Sequence, residues 1–186
     1  ALASEVTALL DVLGAQLDDP ARGYLRAAAA SDQLAWEREF GVAKDVSRLA
    51  AECNVLHGLP ADVSIRNQGS YVPLARVLLA AKRAGARVSV SSIIPLPKGV
   101  DHVVETPEQW LARLAESRPS RVRLIGVDTS AAAAAVDGDP DVTLYGGPVT
   151  SSGRVELVPF LREQAVSITT HRYGILDRSL AAAMSP

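Results

Sequence analysis

The middle of the chain alternates strand-like and helix-like segments, and this alternation constrains the fold more than any other feature. Short runs rich in valine, isoleucine and leucine are typical of strands at residues 63–65, 87–94, 121–125 and 142–145. Helical patterns separate them over residues 71–83, from Thr106 onward, and from near Thr129 or Ser130 onward. Such a βαβαβαβ order requires a parallel sheet with right-handed crossovers. We therefore predict an α/β fold with a Rossmann-like parallel sheet and flanking helices.

The segments on either side of this alternation follow other patterns. Apolar residues at helical spacing predict one helix over residues 4–17, a second over 21–30, and a third over 31–40 capped by Ser31 or Asp32. After residue 148, turns rich in glycine and serine precede a predicted short helix over 159–164 and an edge strand over 166–170.

These patterns divide the chain into three parts. We expect an N-terminal helical segment over residues 1–60, a Rossmann-like domain over residues 61–148, and a C-terminal β-hairpin with a tail motif over residues 149–186. The helical pattern already begins at Val6 and the chain starts at Ala1 without a methionine. A fragment of a longer polypeptide explains this start, and removal of an initiator methionine is the alternative.

Charge, hydropathy and cysteine count exclude several classes of protein. The 21 acidic and 19 basic residues give a net charge of −2, which provides no excess positive field for nucleic acid. No apolar stretch reaches the roughly 18–20 residues of a membrane span, and no secretory signal is present. The single cysteine, Cys53, excludes a disulfide framework and fits a reducing compartment. We expect a cytoplasmic protein.

A Rossmann-like sheet raises the question of a bound dinucleotide. The G-x-G-x-x-G fingerprint follows none of the predicted strands. The nearest substitute is Gly126 with Thr129 and Ser130 at a helix N-terminus, together with Ser91 and Ser92 after the second strand. These five residues are the candidate cofactor-binding residues. Ordinary helix capping is the alternative role for the hydroxyls near residue 129.

No catalytic or metal-binding constellation can be assembled from the sequence. Cys53 lies in residues 49–56, which we predict to be a helix end without a partner histidine, so a packing role is expected. The three histidines, His57, His102 and His171, are too far apart to form a local metal motif. An independent enzyme therefore has the least support of the functions considered.

The densest cluster of polar donors and apolar anchors lies near the C-terminus. An interface or lid needs this mixture, because apolar anchors supply burial and polar groups supply direction. A solvated terminal hairpin is the alternative. The candidate interface residues are Phe160, Leu161, Arg162, Glu163, Gln164, Ser167, Thr169, His171, Arg172 and Tyr173.

The same region resembles a known family. Residues 153–174, GRVELVPFLREQAVSITTHRYG, closely resemble the C-terminal signature of the proline utilization A family. Shorter stretches at residues 36–41 (WEREFG), 49–56 (LAAECNVL) and 121–126 (RVRLIG) resemble the same family. The resemblance departs from the family pattern at residues 57–60, where HGLP stands in place of a run with two arginines.

The resemblance implies the extra C-terminal domain of the longer members of that family. It implies a non-catalytic relative of the aldehyde dehydrogenase fold, whose terminal motif covers the cavity between the two active sites. The parent would be either a proline dehydrogenase joined to a glutamate semialdehyde dehydrogenase, using FAD and NAD, or the semialdehyde dehydrogenase alone. Its partners would be the catalytic domains of the same polypeptide or a neighbouring subunit of a homo-oligomer.

The strand over 87–94 lacks the lysine that follows it in active relatives, so we expect no cofactor in this chain. The alternative is an NAD-binding or nucleotide-binding module of an aldehyde dehydrogenase-type enzyme.

Overall fold

The computed structural model describes residues 1–45, 47, 49 and 52–169, and the backbone of residues 171–172 and 175–176. The helices are α1 (Ser4–Gly14), α2 (Asp19–Ala35), α3 (Tyr71–Ala84), α4 (Pro107–Ser117), α5 (Thr129–Ala135) and α6 (Gly153–Glu156). A π-helical turn (Trp36–Phe40) extends α2, and a 3-10 turn (Val158–Phe160) follows α6. The strands are β1 (Lys44–Asp45), β2 (Glu52–Pro60), β3 (Asp62–Asn67), β4 (Arg87–Ser92), β5 (Val103–Val104), β6 (Arg121–Ile125), β7 (Thr143–Tyr145), β8 (Leu161–Thr169), β9 (His171–Arg172) and β10 (Ile175–Leu176).

The predicted α/β fold is confirmed. Five strands form one parallel sheet in the order β5-β4-β3-β6-β7, with the first strand of the alternation at its centre. In this sheet the chain starts at the central strand β3, continues through β4 and β5 to one edge, and then crosses to β6 and β7 on the other side. This is the strand order of one half of a Rossmann fold. The pairing aligns Arg66 of β3 with Ser91 of β4 and Leu124 of β6, so these three side chains share one face of the sheet.

Each face of the sheet packs on its own hydrophobic cluster. Val63, Ile65 and Val90 belong to the larger cluster, which is completed by side chains of α1, α2 and α3. Val122 and Leu124 belong to a smaller cluster with residues of α4 and α5. Helices on both faces are the arrangement that a parallel sheet requires, because both of its faces must leave water.

A glycine ends α3 and a capping box begins α4. The chain leaves α3 through Gly85, whose φ of 70° is accessible to glycine at no steric cost. Thr106 and Gln109 form a capping box at the start of α4, with Pro107 in the first turn.

Two predicted helices at the N-terminal side are in fact one. The helix α2 runs without a break through Ser31 and Asp32, and neither residue acts as a cap. The prediction of a break was wrong because Asp32 is used inside the fold, where it pairs with Arg76 of α3. From the sequence alone, an aspartate within an apolar pattern is read as a helix cap, because its distant partner cannot be seen.

A second, antiparallel sheet joins the segment before the parallel sheet to the segment after it. Its order is β1-β2-β8, and β2 pairs with β8 along nine residues from Glu52 opposite Thr169 to Pro60 opposite Leu161. We refer to this pair as the β2–β8 ribbon. Two predictions were wrong here: Cys53 lies in a strand rather than at a helix end, and the predicted helix over 159–164 is a 3-10 turn followed by a strand. Both segments are strands because they pair with each other, and this pairing could not be predicted from segments so far apart in sequence. The predicted edge strand over 166–169 is confirmed as part of β8, and residue 170 lies outside the described residues.

Candidate functional site

The carboxyl edge of the parallel sheet is where an open α/β fold places a ligand, at the point where strand order reverses. In this sheet that point lies between the ends of β3 and β6. The two connecting loops are in direct contact there. A Cβ on Gly126, whose φ is 66°, would lie 2.9 Å from the backbone nitrogen of Gly69, and Gln68 N donates to Ile125 O at 2.8 Å. The two loops therefore approach each other closely at the point where a dinucleotide would bind.

Ser91 and Ser92 lie at the end of β4, and both are buried. The Ser91 hydroxyl accepts a hydrogen bond from Arg66 Nη1 at 2.6 Å. The Ser92 hydroxyl accepts from Asn67 Nδ2 at 3.3 Å and from Ile94 N at 3.1 Å. The structure thus brings both predicted residues to the expected edge, but it engages their hydroxyls inside the protein.

Thr129 and Ser130 form the first turn of α5, next to the other candidate residue, Gly126. The cap of this helix is Asp128, whose Oδ1 accepts from Ser130 N at 2.9 Å. Thr129 packs against Gly146, since a Cβ on that glycine would lie 2.1 Å from Thr129 Oγ1. Capping and packing account for the contacts of this turn, and its role in cofactor binding stays a prediction.

A buried arginine lies beside the predicted serines. Arg66 is fully buried on the α4 face of the sheet, 5.4 Å from the ring centroid of Trp110. Its Nη1 also donates to Glu105 O at 3.2 Å, while Nε and Nη2 have no hydrogen-bond partner among the described residues. Burial lowers the pKa of Arg66, and the nearby carboxylate of Glu105 opposes that shift. Glu105 itself is committed to Arg113.

The predicted interface residues divide into a buried base and an exposed strand. Phe160 and Leu161 belong to the larger core, with 0% and 8% of their surface exposed. The side chains of β8 beyond Leu161 are exposed or half-buried. The exposed predicted residues are Arg162, Glu163, Gln164, Ser167 and Thr169. The backbones of His171 and Arg172 form β9, their side chains are outside the description, and Tyr173 lies outside the described residues.

Buried ion pairs hold the segment that leads into β8. Arg123 and Glu156 are 3% and 1% exposed and lie 2.7 Å apart. Arg123 Nη1 also donates to Tyr145 O at 3.0 Å and to Gly147 O at 2.8 Å. Glu156 Oε2 accepts from Thr150 N at 3.0 Å. This pair therefore fixes both sides of the turn that follows β7.

A second pair secures the same segment from the helical side. Arg76 and Asp32 form two bonds of 2.7 Å with both side chains fully buried, and Arg76 Nε donates to Thr150 O at 2.9 Å. Gly153 N donates to the Ser31 hydroxyl at 2.9 Å, and a Cβ on Gly153 would lie 2.4 Å from Ser31 O. The base of β8 is thus locked to α2 and α3.

The pairing of these four charged residues was missed by reasoning from sequence. Arg76 and Asp32 are 44 positions apart, and Arg123 and Glu156 are 33 positions apart. No local spacing connects such partners. The one available signal was a charged residue inside an apolar pattern, as at Arg123 within the strand RVRLI.

Two shallow grooves flank the base of the β2–β8 ribbon. One has a volume of about 390 Å³ and is lined by residues that include Phe40, Leu56 and Leu161. The other, of about 360 Å³, is lined by residues that include Tyr145 and Pro159. Val158 lines both, so the two grooves adjoin.

The described part of the chain contains neither a cluster of metal-ligating side chains nor a helix that could span a membrane. Within it, no group of three or more histidine, cysteine, aspartate or glutamate side chains could hold a metal ion. Across the same residues, no helix combines the length and apolar character needed to cross a bilayer. Cys53 is buried in β2 with a free thiol.

The fold and the contacts define an open α/β domain of Rossmann-type strand order with an antiparallel ribbon attached. No protein-family model matches the chain, and no curated protein matches it. Among solved structures it is similar to Proline Utilization A (PutA) from Corynebacterium freiburgense, with 30% identity and a TM-score of 0.62. The similarity covers 95% of this chain and 15% of that chain. The chain is therefore related to a part of PutA.

Proposed function

We propose that this chain is the non-catalytic C-terminal domain of a proline-catabolic enzyme, which oxidises proline to glutamate through glutamate semialdehyde. The observation that carries the proposal is the similarity to PutA, which extends over nearly all of this chain and a small part of the larger one. In this proposal FAD and NAD are held by other domains of the parent. A parent that contains only the semialdehyde dehydrogenase is the narrower form of the same proposal.

The proposed task of the domain is to seal the cavity through which the semialdehyde passes. The exposed residues Arg162, Glu163 and Gln164 of β8 would contact the catalytic domains or a neighbouring subunit. Tyr173, with the side chains of His171 and Arg172, would extend that contact. An interface of this kind needs hydrogen-bonding side chains on a rigid part of the structure, because ordering a mobile segment on binding costs free energy. The buried base of β8 and the ion pairs beneath it support the proposal.

A nucleotide-binding role has less support from the contacts. The hydroxyls of Ser91 and Ser92 already have partners inside the protein, and Gly126 lies against Gly69. Calorimetric titration with NAD tests this alternative on the 186-residue chain. A saturable heat signal at submillimolar NAD would restore it.

The docking role is tested by replacing Arg162, Glu163 and Gln164 together with alanine in the full-length parent enzyme. Because these side chains are exposed, we expect the variant to fold and to retain both half-reactions. Loss of the seal lets the semialdehyde escape into solvent. The measurement is the lag before NADH appears when proline is the only substrate, which we expect to lengthen.

A matched control separates sealing from a general surface effect. Arg26 of α2 and Glu116 of α4 are also exposed and belong to neither strand of the ribbon. Their replacement with alanine is expected to leave the lag unchanged. An unchanged lag in the β8 variant, with normal half-reactions, would contradict the sealing role. The domain would then contribute to stability or assembly.

A further inference from the structure

The loop over residues 93–102, which we call the strap, connects β4 with β5 at the carboxyl edge of the parallel sheet. Its start is tied to the central strand, since Ile93 N donates to Asn67 O at 3.1 Å. Leu96 and Val100 pack against the larger hydrophobic cluster. The strap therefore covers part of the edge at which open α/β sheets bind ligands.

A single imidazole closes the strap on itself. Leu96 N donates to His102 Nε2 at 3.0 Å, and His102 Nδ1 lies 2.8 Å from Val100 O. The backbone partners fix the protonation state, because an amide N–H can only donate and a carbonyl oxygen can only accept. His102 must therefore carry its proton on Nδ1 and leave Nε2 free. Only the neutral ring satisfies both contacts.

The strap has few other bonds at this point. Pro95 and Pro97 have no N–H to donate, so the amide of Leu96 lies between two residues that offer none. Within the strap, Val100 N donates to Pro97 O at 3.2 Å, and Ile94 N donates to the Ser92 hydroxyl at 3.1 Å. The bond from Leu96 N to the imidazole therefore joins the middle of the strap to its end.

We propose that the strap is a pH-sensitive device, closed by neutral His102 and opened when the ring is protonated. Protonation at Nε2 would place two donors against each other, and the bond from Leu96 would be lost. Histidine is the side chain that ordinarily changes charge between pH 5 and 8. Opening frees Leu96 and Val100 from the core and uncovers the end of β4.

Two charged residues lie in the same loop as His102. Lys98 and Asp101 are the charged residues of the strap, and both are exposed. In the part of the chain that the structure describes, His102 forms no ion pair with a residue of α3 or of any other element.

Amide hydrogen exchange on the 186-residue chain tests the proposal. After correction for the intrinsic effect of pH, we expect the protection of the Leu96 amide to fall about tenfold between pH 8 and pH 5, because one hydrogen bond of roughly 1.4 kcal/mol is lost. The Thr143 amide, which donates to Ser120 O at 2.9 Å at the opposite edge of the parallel sheet, is the internal control and should keep its protection. The ¹⁵N shifts of the ring give the tautomer independently of any substitution.

Two variants of His102 separate the proposal from a general effect of acid. In His102→Gln an amide oxygen can replace Nε2 as acceptor and does not titrate, so Leu96 should stay protected at both pH values. In His102→Ala the acceptor is gone, so protection should be low at both. His57→Gln, on β2, is the matched control. In this variant the protection of the Leu96 amide should fall between pH 8 and pH 5 as it does in the unmodified chain.

Equal protection of Leu96 at pH 8 and pH 5 would overturn the proposal, as would a fall that persists in His102→Gln. A ring that carries its proton on Nε2 at pH 8 would overturn it without any variant. If the variants fail to fold, the tautomer and the Leu96 amide of the unmodified chain still decide.

Discussion

Replacing Arg76 with methionine should reveal how much the buried pair beneath β8 contributes to the fold. Arg76 and Asp32 are both fully buried and share two bonds of 2.7 Å. Methionine keeps much of the volume but leaves the Asp32 carboxylate buried without its partner. Breaking a buried pair in this way costs about 3–5 kcal/mol. We expect a loss of that size from the free energy of unfolding at pH 8.

Another arginine–aspartate pair with two hydrogen bonds, at the surface, provides the control. Arg87 Nε and Nη2 donate to the two carboxylate oxygens of Asp62 at 2.8 and 2.9 Å, but the side chains are 86% and 67% exposed. Exposed pairs contribute about 0–1 kcal/mol. Arg87→Met should therefore cost far less than Arg76→Met, although both variants delete an arginine bonded to an aspartate.

The pH dependence gives the same prediction a second check. Burial raises the pKa of Asp32 from 3.8 to about 6, and the charge of Arg76 opposes that rise. A carboxyl group whose pKa is higher in the folded state favours folding most at low pH, and this contribution is lost as pH rises through 6. Without Arg76 the folded-state pKa rises further, so the variant should lose less stability at pH 5 than at pH 8.

Urea unfolding followed by circular dichroism measures both effects at the two pH values. The comparison uses the shift in midpoint at constant m. The reasoning would be refuted if Arg76→Met cost no more than Arg87→Met at pH 8. It would also fail if the cost of Arg76→Met were the same at pH 5.

Two further substitutions test local packing and capping. Gly153→Ala places a Cβ 2.4 Å from Ser31 O, and we expect a loss of about 1–3 kcal/mol by thermal unfolding. Gly147→Ala, where no atom lies within 4 Å of the added Cβ, should cost much less, and equal losses would contradict the packing argument. Thr106→Ala removes the oxygen that accepts from Gln109 N and should cost about 1 kcal/mol in urea unfolding. No measurable change would mean that the capping box contributes nothing.

The parallel sheet was predictable because its signals are local. Apolar runs, a glycine at the end of α3 and the capping residues Thr106 and Gln109 each fix their own segment. The two-residue strand β5 was missed, since Val103 and Val104 are too short a run to give a period. The strand containing Cys53 could have been found, because apolar Cys53 and Val55 alternate with polar Glu52 and Asn54.

The candidate site was only partly predictable, because its bonds connect distant residues. Sequence placed Ser91 and Ser92 at the correct edge of the sheet. No local pattern indicated that Arg66 and Asn67 would donate hydrogen bonds to the hydroxyls of these two serines, since each bond spans 25 positions. The same holds for Arg123 and Glu156, whose pairing depends on the turn after β7 returning across the end of β6.

The division of the chain into three parts stays a prediction. The nine-residue pairing of β2 with β8 joins the first predicted part to the third. Any boundary after Pro60 therefore separates two strands that form one sheet.

The most direct test of docking by β8 compares amide hydrogen exchange of Leu161–Thr169 in the 186-residue chain and in the full-length parent enzyme. If β8 contacts the catalytic domains or a neighbouring subunit, its amides should exchange more slowly in the parent, while those of α4 stay unchanged. Equal exchange of β8 in the two proteins would contradict the docking role.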